Sequence, residues 1–390
     1  MSEPSLSSHR LVSRMTGRDP HERGRAASPL ELFFDLVFVV AVSFSSVQLH
    51  HMEAEGHLGA GVLGYLMVFF AIWWAWMNFT WFATSFDTDD VFYRILTFVQ
   101  MAGVLVLASG AAGAMADHDF TVITIGYVIM RFAMVTQWIR VALTVPTYRA
   151  TAIRYAGGIT VVQVAWILRL ALPEPAALVG FFVLLAAEIG VPIWAESRKA
   201  TPWNAHHVTE RYGLFTLILL GESILASANA VVESLHAGDD LPQLLLISGA
   251  GLMIAAGMWW VYFAREHHRH ITSLRSSLTY GYSHYVIFAA AGAFSAGVEV
   301  IIDSTTHHAD TAQLAAAATL TVPVALFVLG IWMLTIRSTL TARGNVTVVL
   351  AVLVILASTA LPGPWVMVGV AVGTALAAAA AQGAEADHRR

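Results

Sequence analysis

Five ionisable residues interrupt otherwise apolar stretches of this chain: Asp35, Arg131, Glu188, Glu222 and Glu299. A charge placed in hydrocarbon is costly, so such residues face a bundle interior or water and mark paths for ions or substrates. Glu31 and Asp35 are four apart and share one side of a helix. Two carboxylates so placed share a proton or attract a cation. The competing reading of Glu31 is a first-turn acid that complements the helix dipole. A second polar group opens at His206, where His206 and Glu210, and His207 and Arg211, are each spaced by four residues. Glu222 follows Arg211 by eleven residues, close to three helical turns, and so falls on the same stripe. A carboxylate at that depth is protonated, paired with Arg131 or another cation, or bathed in water. Asp35, Arg131, Glu188, Glu222, Glu31, His207, Glu210 and Arg211 are therefore the candidate substrate- or ion-binding residues.

Other clusters carry less chemistry. The run Arg265-Glu266-His267-His268-Arg269-His270 reads as a solvated connection touching lipid headgroups rather than a metal site. His50, His51 and His57, with His307 and His308, are the histidines that could meet on the opposite side, and a metal site is not the favoured reading there either. The chain has no cysteine, which excludes disulfides and thiolate chemistry. HExxH, P-loop, strand-borne GxGxxG and GxSxG patterns are absent, and no cofactor or metal is expected. Trp73, Trp74, Trp76 and Trp81 read as an interfacial belt with packing roles.

The elements that must hold these residues are membrane spans. Of 390 residues 57% are hydrophobic and 12% charged, against roughly 25% charged in an average soluble domain; mean hydropathy is +0.67. A net charge of −5 without a basic patch excludes a nucleic-acid partner. Apolar stretches long enough to cross a bilayer are placed at 30–50, 60–82, 92–115, 120–143, 153–172, 176–194, 209–231, 242–264, 279–303, 313–336, 345–361 and 364–382. Turn and charge signals separate them, such as Asp87 to Asp90, Pro173-Glu174-Pro175, Gly238-Asp239-Asp240 and Pro362-Gly363-Pro364. The fold class is thus an all-α polytopic bundle of about twelve spans. Of the 21 lysines and arginines, 19 fall in the tails or on alternate connections, Arg131 and Arg169 being the exceptions. The positive-inside rule then puts the protein in the cell membrane with both termini cytoplasmic.

An internal order is visible. Leu32-Phe33 and Trp73-Trp74 reappear as Leu214-Phe215 and Trp259-Trp260, at offsets of 182 and 186 residues. Two parallel six-helix repeats are expected: a disordered basic tail over 1–28, a first repeat over 29–200, a second over 201–384 and a cytoplasmic C-terminus over 385–390.

Two segments carry a family resemblance. Glu31-Leu32-Phe33-Phe34-Asp35-Leu36-Val37-Phe38 resembles the signature of the bacterial low temperature requirement A (LtrA) family. The stretch from His207 through Glu210-Arg211-Tyr212-Gly213-Leu214-Phe215 to Leu220-Gly221-Glu222-Ser223 is similar to that family's second signature. The resemblance covers roughly residues 28–380 and implies a multi-pass membrane protein tied to growth in the cold, without an established substrate. A fainter likeness of Phe34-Asp35 and Phe38 to the Phe-Ser-Asp first-helix signature of a two-repeat potassium-channel family is broken by Phe34 in place of serine and by Leu214-Phe215-Thr216 in the second half.

The favoured function is a transporter or ion-translocating protein that uses intramembrane carboxylates on a small-molecule or ion substrate. The alternative is a membrane-embedded enzyme applying carboxylate acid/base chemistry to a lipid or isoprenoid. The lipid bilayer is the expected partner, and a homo-oligomer is left open.

Overall fold

The structure, a computed structural model, describes residues 11–22, 24–237, 241–305 and 312–387. Every regular element among them is helical. Twelve helices are long and apolar enough to cross a membrane. In chain order these are α1 (Pro29–Ala54), α2 (Leu58–Phe86), α3 (Val91–Ser109), α5 (Thr121–Thr144), α6 (Arg149–Arg169), α7 (Ala176–Glu196), α8 (Ala205–Ala237), α9 (Leu241–Tyr262), α10 (Leu274–Thr305), α11 (Gln313–Ile331), α12 (Ala342–Ala357) and α13 (Trp365–Asp387). The short α4 (Ala111–Ala116) lies between α3 and α5. A π-helical turn, Trp332–Ile336, prolongs α11. The chain is a multi-pass membrane protein.

Local chemistry fixes several helix starts. Ser28 and Glu31 form a capping box at α1: the Ser28 amide donates to Glu31 Oε2 (2.8 Å) and the Glu31 amide to Ser28 Oγ (3.3 Å), with Pro29 at the first helical position. Asp90 caps α3 by accepting from the Tyr93 amide at 2.7 Å. Asn204 does the same for α8 through the His207 amide at 3.1 Å.

The chain forms two compact units. Unit 1 comprises 1–38, 74–110 and 120–208, and unit 2 comprises 39–73, 111–119 and 209–390. They do not follow the sequential halves expected at residue 200, because α1, α2 and α8 are each divided between them. The paired motifs also lie in different surroundings. Trp73 and Trp74 are buried while Trp259 and Trp260 are exposed; Phe33 is exposed while Phe215 is buried.

Unit 1 packs α3 on α5, α5 on α6 and α6 on α7. α3 and α5 approach through glycine. A methyl group at Gly103 would lie 2.7 Å from Met130 Cγ and 2.9 Å from the Gly126 carbonyl, and one at Gly126 would strike the Leu107 amide nitrogen. Small residues at such crossings allow the backbone contact that replaces hydrophobic drive in lipid. Unit 2 centres on α10, 83% of whose span is buried, packed on α11.

The N-terminal segment corrects an expectation. Residues 11–28 were expected to belong to a disordered tail, but those described form an extended strap along unit 1. The Phe92 amide donates to Leu11 O (3.1 Å), and the Ser13 amide and Arg140 Nη2 both donate to Asp90 Oδ2 (2.6 Å each). Arg18 meets Asp87 at 3.2 Å and Glu22 at 2.8 Å. Arg25 donates to the carbonyls of Ala83 (2.9 Å) and Thr84, and Met15 is fully buried. Of the described arginines in this segment, Arg18 and Arg25 are spent on Glu22 of the strap and on Asp87 and carbonyls at the end of α2. Burial lowers the pKa of Arg25, aided by nearby Arg18; burial raises that of Asp87, aided by Glu31.

Candidate functional site

α1 supplies the frame. At about 100° per residue, Glu31, Asp35, Ser43, Ser46, His50 and Glu53 fall within an arc of roughly 120°. The exposed residues Phe33, Leu36, Val40, Phe44 and Val47 lie on the facing side. One helix thus presents an apolar face to lipid and a polar stripe to its neighbours.

In unit 1 the stripe begins with two acids. Besides its capping role, Glu31 lies 3.3 Å from Nε2 of His207 through each carboxylate oxygen, and both side chains are buried. The structure thus joins two predicted site residues while also supporting the capping reading of Glu31. Asp35 is fully buried and accepts from Trp76 Nε1 at 2.7 Å. Phe34 stacks beside it on Phe38 (4.4 Å) and Phe79 (4.0 Å).

Glu188 and Arg131 form the densest cluster. Oε2 of Glu188 accepts from Arg131 Nη2 (2.7 Å) and Trp74 Nε1 (2.8 Å); Oε1 accepts from Tyr127 OH (2.9 Å), Gln163 Nε2 (3.0 Å) and Trp166 Nε1 (3.3 Å). Arg131 also donates to the Tyr127 hydroxyl at 2.7 Å. Four helices thus converge on one carboxylate whose charge is matched by one guanidinium. Arg131, one of the partners left open for Glu222, pairs with Glu188. Five donors leave this carboxylate little capacity for a further ligand, so the arrangement is that of a clasp.

Unit 2 has a polar column of its own. Glu222 is half-buried and accepts from the Ser43 hydroxyl at 2.6 Å. Among the described residues no cation stands within ion-pair distance of it. Ser46 Oγ donates to the Gly292 carbonyl at 3.0 Å, and Ser295 Oγ does so at 2.8 Å. Nε2 of His50 is 2.7 Å from Asp303 Oδ2. Nδ1 is 3.0 Å from Glu299 Oε2, an ion-pair distance without hydrogen-bond alignment. Arg211 is fully buried and Glu210 half-buried.

The connection after α9 also differs from its sequence reading. His267, expected in a solvated loop, is buried. Its Nε2–H donates to the Tyr262 carbonyl (2.8 Å), which leaves Nδ1 to accept from Tyr280 OH (2.9 Å). His284 answers it: Nδ1–H donates to the Tyr280 carbonyl (2.8 Å) and Nε2 accepts from Tyr262 OH (3.1 Å). Each tyrosine serves one histidine with its carbonyl and the other with its hydroxyl, so the carbonyl decides which nitrogen carries the proton of each neutral ring. Burial, with the charges of His270 and His268, pushes the pKa of His267 down to about 4.

Sequence reasoning missed Trp74, Trp76, Tyr127, Gln163 and Trp166 as partners of the carboxylates, and Ser43, His50, Glu53 and Asp303 as members of the column. A usable signal existed for α1, since its polar residues keep helical spacing from Glu31 to Glu53. Tyr127 and Arg131, four apart, were similarly readable. No group of three or more His, Asp or Glu residues converges on a metal position among the described residues; His307 and His308 lie outside them.

Comparison with known proteins places this arrangement. An uncharacterised protein of Rhizobium meliloti (strain 1021) is 28% identical over 299 residues, covering 70% of this chain and 69% of the relative. No solved structure matches. The profile of the bacterial low temperature requirement A protein (LtrA) family matches residues 26–381. That span holds all twelve membrane helices up to the last turns of α13, along with the polar clusters of α1, Glu188 and Glu222, and the chain belongs to the LtrA family.

Proposed function

We propose that this LtrA-family membrane protein translocates a proton or small cation, with Glu222 and Asp35 as the carboxylates that take it up. The observation that carries the reading is the contrast between two acids. Glu188 is neutralised by Arg131 and saturated by neutral donors. Glu222 also sits in a membrane span, with a single hydroxyl partner and no cation among the described residues. A carboxylate in a membrane span without a fixed counter-ion suits an exchangeable proton or cation, and the role read here for Glu222 is to take that ion up and release it. Asp35 is the fully buried acid of α1 and accepts from the Trp76 indole N–H.

The test is flux into proteoliposomes under an imposed membrane potential, read for protons with an internal pH dye and for alkali cations with ion-selective dyes. Glu222→Gln and Asp35→Asn keep size and much of the hydrogen bonding but remove the exchangeable charge. Each is expected to lose at least about tenfold of the flux while remaining folded and inserted. Full flux through folded Glu222→Gln protein would defeat the proposal.

A further inference from the structure

The far end of α1 carries a titratable group that the proposed function leaves unused. His50 lies between two carboxylates one turn apart on α10, with Asp303 at 2.7 Å and Glu299 at 3.0 Å on opposite ring nitrogens. A neutral imidazole has one N–H and one lone pair, and an ionised carboxylate offers only lone pairs. With both carboxylates ionised, a neutral ring would turn its lone pair on one of them. The geometry is satisfied only when the trio holds one proton more, either as a second N–H on the ring or as a carboxylic acid. The two nitrogens point to different acids, so the trio has no common point where a metal ion would be ligated, in keeping with the lack of a convergent ligand set among the described residues.

Among the described residues the titratable surroundings come from three helices. On α1, Glu53 is buried one turn beyond His50 and the His51 ring lies 5.1 Å from that of His50. On α2, Tyr65 is buried with its hydroxyl on the Ala289 carbonyl at 2.9 Å. α10 supplies Glu299 and Asp303. Among the described residues acids outnumber bases here, which favours a bound cation over a bound anion. Toward Glu222, the same face of α1 presents Ser46 and then Ser43, the partner of Glu222. From Ser43 to His50 the rise is about 10 Å.

We infer that the translocated ion is the proton and that His50, Glu299 and Asp303 form a second proton-binding site, in line with Glu222 along α1. The role in flux rests on the proposed function; the bound proton rests on the geometry alone, and two experiments separate them. In the first, protein labelled with ¹⁵N-histidine is studied by solid-state NMR in lipid at neutral pH, with infrared spectra of the carboxyl region. The extra proton is expected as a doubly protonated ring missing from His50→Gln, or as a carboxylic-acid band missing from Glu299→Gln/Asp303→Asn. A neutral His50 ring beside two ionised carboxylates would overturn the inference. In the second, His50→Gln is expected to reduce proton flux at least tenfold while remaining inserted. Proton flux unchanged in His50→Gln but lost in Glu222→Gln would remove the second site and leave the proposed function standing. Flux of an alkali cation with no proton movement would overturn the identity of the ion. Absence of any flux would defeat the proposed function, with the spectra still deciding whether the trio holds its proton.

Discussion

Replacing Arg131 by methionine tests whether the Glu188 cluster is a clasp or part of a path. The carboxylate would keep four neutral donors, from Trp74, Tyr127, Gln163 and Trp166, but lose its counter-ion in a site where both side chains are at most 2% exposed. Deleting one partner of a buried ion pair costs about 3–5 kcal/mol. Glu188→Gln should cost a similar amount, because Arg131 is left without an anion and the new amide N–H faces other donors. The double variant Arg131→Met/Glu188→Gln has no buried charge. Its amide oxygen can still accept from Tyr127 and Gln163, and the remaining loss is an indole N–H without an acceptor, roughly 1–3 kcal/mol. The cycle therefore predicts a coupling of at least about 3 kcal/mol. Unfolding in lipid nanodiscs, followed by tryptophan fluorescence that reports on Trp74 and Trp166, measures all four corners. A cost below about 1 kcal/mol for Arg131→Met, or strict additivity, would refute the clasp. A double variant that regains stability yet loses flux would return both residues to the pathway.

Two further outcomes follow from packing and titration. Gly126→Ala should weaken the α3–α5 crossing by about 1–3 kcal/mol, the usual cost of overpacking, because its methyl group meets the backbone of Gly103 and Leu107; wild-type thermal stability in nanodiscs would contradict this. His267, held neutral with a pKa near 4 against an ordinary 6.5, contributes stability that is present above pH 6.5 and lost as the pH falls through 4. The loss reaches roughly 3 kcal/mol. His267→Gln should flatten that part of the pH–stability profile, and an unchanged slope would show that the ring is not the titrating group.

The spans were legible because lipid imposes one simple demand, a long apolar helix with its backbone satisfied internally. The expected 313–336 coincides with α11 and its π turn, and 176–194 falls two residues short of α7. Errors arose where side chains rather than hydropathy set the boundary. α10 begins at Leu274 instead of 279 because Ser273 and Ser276 cap it reciprocally. The strap was illegible for a related reason: Arg14, Arg18 and Arg25 meet carbonyls or an acid far away in sequence, and composition alone describes such a segment as solvated. At the site, residue type and depth singled out Glu188, Arg131 and Asp35. The partners come from other helices, as with Trp74 and Glu188, 114 residues apart, and no local spacing encodes such a meeting. The tryptophans misled most. They look like interfacial anchors in sequence, yet Trp74 and Trp76 are buried donors to the two acids.

The pairing of α1 with α10 also has a consequence for biogenesis. Ser46 and His50 find their partners 246 and 253 residues later in the chain, a stretch that takes about 12–50 s to synthesise at 5–20 residues per second. Throughout that interval the polar stripe of a newly inserted first helix has no α10 to receive it. The apolar face keeps α1 in the bilayer, since its span has a hydropathy of 2.0. The stripe must meanwhile be sheltered by water at the insertion channel, by a chaperone or by the neighbouring hairpin. Ribosome-bound chains that stop short of α10 would expose it, so the step most vulnerable to quality control comes late in translation, when the helix made first is finally covered.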